Sequence, residues 1–81
     1  MNVRITQEDI NRGKRMAITE CPMARALTRK GRGEAVVVGR LASINQVLYR
    51  LSPSAAQWVS AFDQGLQVKP ASLRLYKQER A

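Results

Sequence analysis

The apolar positions of this 81-residue chain change period several times, and each change marks a new element. Val3 and Ile5 alternate with Asn2 and Arg4, which predicts a short opening strand with one buried face. Thr6 and Asp9 stand at capping-box spacing, with Asp in place of the usual Glu, so a turn of helix follows, with Gly13 as its stop. Lys14 to Thr19 keeps no period and reads as an irregular basic connection. Pro22 suits the first position of a second helix, where a missing N–H is no loss. Met23, Ala24, Ala26 and Leu27 form its apolar face, and it should end near Lys30, ahead of Gly31 and Gly33.

Ala35 to Val38 is a β-branched run suited to a strand buried on both faces or at a sheet centre, expected to continue towards Ile44 with Gly39 marking a bulge or a close approach. Val47, Tyr49 and Leu51 alternate with Leu48 and Arg50, so a second, antiparallel strand follows a joint near Ser43 to Gln46. Ser52 and Pro53 open a third helix in which Ala55, Trp58, Val59 and Phe62 fall at i, i+3, i+4 and i+7, and Gly65 closes it. Leu66 to Pro70 is a linker, and Leu73 and Leu75 alternate with Arg74 and Tyr76 in a last strand.

This order predicts an α+β fold: a small sheet of three to four strands with two main helices on one face, element order βαββαβ. A ferredoxin-like arrangement is one candidate. Residues 1–76 should form a single compact domain and residues 77–81 a frayed charged tail. A chain this short buries only about 60% of the surface that its unfolded form exposes, so its core is small.

Charge narrows the class of partner. There are 14 Lys and Arg against 6 Asp and Glu, a formal net charge of +8. Arginines far outnumber lysines, which favours planar, bidentate contacts to phosphate or carboxylate. The densest cationic stretch holds Arg12, Lys14, Arg15, Arg25, Arg29, Lys30 and Arg32, with Glu20 as its one acid. Arg25, Arg29 and Arg32 recur at i, i+4 and i+7, which lines guanidinium groups along a helix face, as a firm pair with Arg32 as its neighbour in the following loop if the helix ends near Lys30. Arg40 and Arg50 continue the positive charge onto the predicted strands. Gly31 and Gly33 would let the main chain approach a phosphate backbone, and Tyr49 and Tyr76 are the candidates for base stacking.

Other chemistries find little material. Cys21 is the one cysteine and there is no histidine, so neither an intrachain disulfide nor a structural zinc site is expected. Cys21 beside Pro22 reads as a small buried residue at a helix start. No residue set points to catalysis: Gly31-Arg32-Gly33 precedes a strand instead of opening a helix, and nothing fixes Glu8, Asp9, Glu20 and Glu34 together. No cofactor is expected. The sequence carries no signal-peptide pattern and no membrane-length apolar run, so a cytoplasmic location without membrane contact is the expectation.

Two stretches carry a resemblance. Asp9-Ile10-x-x-Gly13 leads to Cys21-Pro22-x-Ala24-x-Ala26-x-x-Arg29, and Phe62-Asp63-x-Gly65-x-x-Val68-x-Pro70 leads to Leu73 and Leu75. Together they resemble small uncharacterised proteins encoded by bacteriophages and prophages. The resemblance implies a phage-encoded accessory protein acting in the host cell cytoplasm, and supplies no activity or site residues. Two readings follow. One is a non-enzymatic basic protein that contacts nucleic acid or a nucleoprotein complex through its arginines. The other is a phage-encoded protein whose arginines meet an acidic host surface, to inhibit or redirect RNA polymerase, a nuclease or a CRISPR effector.

Overall fold

The computed structural model describes residues 1–31 and 33–78. Along them run β1 (Asn2–Ile5), α1 (Gln7–Arg12), α2 (Pro22–Gly31), β2 (Ala35–Val38), β3 (Leu41–Ile44), β4 (Val47–Leu51), α3 (Pro53–Asp63) and β5 (Ala71–Lys77). The strands form one antiparallel sheet in the order β1-β5-β4-β3-β2.

The α+β class stands, but the sheet has five strands where three to four were expected. The reason lies at Gly39. Instead of a bulge it starts a two-residue hairpin turn, with φ +59 at Gly39 and Val38 paired to Leu41, so the predicted long strand splits into β2 and β3. Asn45 and Gln46 make the next turn, both at positive φ (52 and 65), as a type I′ hairpin requires. β2, β3 and β4 are therefore a meander, with its second joint where the pattern placed it.

The ferredoxin-like order is not met. A split βαβ unit would leave one strand between the two that flank each helix. Here β4 and β5 are direct neighbours across α3, and β1 and β2 occupy opposite edges.

Alternation puts Val3, Ile5, Ala35, Val37, Ala42, Ile44, Leu51, Leu73 and Leu75 on one face of the sheet, all buried. Met23, Ala24, Ala26 and Leu27 of α2 close over them, and α3 adds Ala55 and Val59. Fully burying a side chain such as Met23 or Leu27 contributes about 1.5–3 kcal/mol. α2 touches both edge strands, β1 and β2, so the sheet curls around it. Both main helices lie within that curl, and among the described residues the opposite, convex face carries no helix.

The helix starts follow the sequence closely. Thr6 Oγ1 accepts from the Asp9 N–H at 3.2 Å while Thr6 N–H donates to Asp9 Oδ2 at 3.0 Å, completing the capping box. Cys21 Sγ, buried, accepts from the Ala24 N–H at 3.4 Å ahead of Pro22. Ser52 Oγ accepts from the Ala55 N–H at 3.2 Å. Phe62 departs from expectation. It stacks on Trp58, with ring centroids 6.1 Å apart and planes 3° from parallel, and stays half-buried outside the core cluster. Lys77 is the last residue of β5 and pairs with Tyr49, so it does not belong to a frayed tail, and residues 79–81 lie outside the described residues.

Candidate functional site

Asp9 decides the fate of the helix arginines. Its side chain is fully buried between α1 and α2, and Arg29 grips it with both prongs: Nη1 to Oδ1 at 2.8 Å and Nη2 to Oδ2 at 2.9 Å. Arg25 Nε lies 3.7 Å from the same Oδ1, buried and without a hydrogen-bond partner among the described residues. Burial alone would push the Asp9 carboxyl up. The Arg29 hydrogen bonds, the Thr6 N–H and hydroxyl, and the Arg29 charge outweigh that and hold it below the ordinary range. Hydrogen bonding to Asp9 raises Arg29 in turn. Arg29 Nη2 also donates to the Arg4 carbonyl at 3.0 Å, tying α2 to the edge of β1.

The expected arginine stripe along α2 is therefore not a free cationic face. Arg25 and Arg29 neutralise a buried carboxylate and join α2 to α1, and Arg32 lies outside the described residues. Two further members of the cluster meet acids at the surface: Arg12 with Glu8 at 3.9 Å and Lys14 with Glu20 at 3.6 Å, both exposed pairs of little energetic weight. Arg15 lies over Gly65, which has the predicted positive φ (+82). Lys30 is exposed in the last turn of α2, where it suits the negative helix end.

Gly31 and Gly33 serve packing inside the protein. A Cβ at Gly31 would strike the Ile44 side chain, and one at Gly33 would strike the Asn45 side chain. Asn45 Nδ2 also donates to the Gly31 carbonyl at 2.9 Å. Both glycines thus pack closely against the β3–β4 hairpin.

The convex face of the sheet gathers a different set. It presents Asn2 and Arg4 of β1, Ser72, Arg74 and Tyr76 of β5, and Leu48 and Arg50 of β4, followed by Leu41, Ser43, Val36 and Val38. No strand contains an Asp or Glu, so three arginines share this face with no carboxylate between them among the described residues. Arg4 Nη1 donates to Ser72 Oγ and Arg74 Nε to Asn2 Oδ1, each at 3.4 Å. The Arg50 guanidinium sits 5.8 Å from the centroid of the Tyr76 ring, which is 43% exposed. Tyr49 points to the other face and packs against the core, leaving Tyr76 as the accessible one of the two tyrosines.

Of the cations named from the sequence that fall among the described residues, this face holds Arg50 alone. Arg4 and Arg74 were missed because they lie far from the basic cluster in sequence. Their signal was present, since each is the polar position between two core residues of a strand, Val3 and Ile5 or Leu73 and Leu75. What was missing was the pairing of β1 with β5.

A second feature lies between α3, the loop before α2 and the β2–β3 turn. An apolar groove of about 900 Å³ is lined by Met16, Ile18, Val38, Val59 and Leu66, with Arg40 at its margin. Asp63 Oδ1 accepts from the Met16 N–H at 2.9 Å and fixes one wall. Cys21 lies in the lining, its thiol pushed up by burial. Among the described residues no three His, Cys, Asp or Glu side chains converge as a metal site needs, and no helix is long and apolar enough to cross a membrane. Comparison with protein-family models, with curated proteins and with solved structures returns no match.

Proposed function

We propose that this is a non-enzymatic binding protein that engages nucleic acid, alone or within a nucleoprotein complex, through the convex face of its sheet. The observation that carries the reading is the gathering of Arg4, Arg50 and Arg74 on one helix-free surface whose strands lack any acid. Uncompensated guanidinium groups on a rigid scaffold attract a polyanion, and arginine's fork matches phosphate geometry. The expected contact thus moves from the α2 helix, where the arginines are engaged by Asp9, to the sheet.

The test is an affinity titration against oligonucleotides at several salt concentrations. Replacing Arg4, Arg50 and Arg74 together by Ala should weaken binding by on the order of a hundredfold at low salt and reduce the salt slope by about two units. Absence of binding to every oligonucleotide at low salt would falsify the reading.

The groove favours a second reading, a protein partner of the kind a phage-encoded modulator would have. Met16 is 82% exposed at a left-handed φ of 57, and Ile18, Val38 and Leu66, which line the same groove, are also open to water. Under this reading a nuclease-treated host lysate yields one stoichiometric partner that Met16→Glu with Leu66→Glu no longer retains. Loss of all partners on nuclease treatment returns the weight to nucleic acid.

A further inference from the structure

The strand register places the sheet arginines in a line. Arg4 stands opposite Ser72, Arg74 is two residues further along β5, and Arg50 stands opposite Tyr76, two residues further again. With strands about 4.8 Å apart and about 3.4 Å of rise per residue, each step of this diagonal across β1, β5 and β4 is about 8 Å between Cα atoms. A second diagonal runs directly beside it. Asn2 is opposite Arg74, Tyr76 is opposite Arg50, and Leu48, whose carbonyl accepts the Gln78 N–H at 2.9 Å, stands one pair beyond. One row is cationic; its neighbour is polar, aromatic and aliphatic in turn.

We infer that the nucleic acid taken by this face is single-stranded, its backbone following Arg4, Arg74 and Arg50 while its bases lie over the Asn2, Tyr76 and Leu48 row. The inference rests on the polyanion reading above and adds the strandedness of the ligand. A single strand presents phosphates along one side and unpaired base faces along the other, the two chemistries that these rows offer. Tyr76 has cationic neighbours on two sides, Arg74 along its strand and Arg50 across, and guanidinium planes stack on bases as aromatic rings do.

A duplex fits poorly. Five strands at about 4.8 Å spacing span roughly 19 Å, wider than a major groove of about 12 Å, so the sheet cannot enter it. The curl around α2 makes the face convex, and a convex surface laid on a cylinder meets few phosphates. In a duplex, moreover, the base faces are already stacked on one another and give Tyr76 nothing to do.

The experiment is fluorescence anisotropy of the full chain with three labelled 12-mers of one sequence: single-stranded RNA, single-stranded DNA and the DNA duplex. Both single strands should bind at least tenfold more tightly than the duplex, and the ratio between them reads any preference for the 2′-hydroxyl. Tyr76→Ala should weaken single-strand binding by about tenfold with an unchanged salt slope, because it removes a stacking plane and no charge. Tyr76→Phe should restore it. Equal or tighter binding of the duplex overturns the inference while leaving the polyanion reading intact, and so does a Tyr76→Ala variant that binds as the parent does. Failure of all three probes overturns both.

Discussion

The arginines of α2 and those of the convex sheet face have identical side chains and different surroundings. On α2, Arg25 and Arg29 face inward towards Asp9, a carboxylate that could not remain buried and charged without them. On the sheet, Arg4, Arg50 and Arg74 meet Ser72, Tyr76 and Asn2, partners that orient a guanidinium without cancelling its charge. Basic density along a sequence therefore says less about a binding surface than what each cation faces. A cation opposite an acid is tied into the fold, whereas one opposite a hydroxyl, an amide or an aromatic ring keeps its charge uncancelled.

The contrast breaks most sharply at Asp9. Asp9→Ala should destabilise the protein by about 3 kcal/mol in urea unfolding, the lower end for a buried pair because Arg29 keeps part of its side chain in water. An unchanged midpoint would show that the helix arginines are not structural after all. The same group sets an acid limit. Because the Asp9 carboxyl is held below its ordinary value when folded, its contribution is complete above about pH 4 and fades as pH falls through the lowered folded value. Asp9→Asn should flatten that acid slope.

A gentler test exchanges arginine for lysine in each region. Arg29→Lys keeps the charge but loses the fork on Asp9, and should cost about 1 kcal/mol given its 52% exposed side chain. Arg74→Lys, on the open face, should change stability by less than about 0.5 kcal/mol. Equal losses at the two positions would erase the distinction between them.

Much of the local structure was legible in the chain. The Thr6–Asp9 capping box, Pro22 at the start of α2, the Asn45–Gln46 joint and the Ser52 cap are short-range devices whose residues are neighbours in sequence. The site was not legible in the same way. Arg4 and Arg74 become neighbours only when β1 pairs with β5, and no local pattern states that pairing. Asp9 is legible as a capping residue, yet its grip on Arg29 crosses 20 residues and an irregular loop. The Gly39 turn shows a third kind of limit. One glycine in a β-branched run suits a bulge or a hairpin equally well, and the choice moves β2 to the sheet edge and changes the strand order.

The pairing of β1 with β5 also governs when the fold can be completed. Asn2 and Arg74 are 72 residues apart, whereas β2, β3 and β4 are joined by two-residue turns and can zip up from local contacts. During synthesis the first strand has no sheet partner until the last one emerges. Arg4 and Arg74 therefore come together in the most non-local pairing of the sheet, and the proposed binding face is completed only with it.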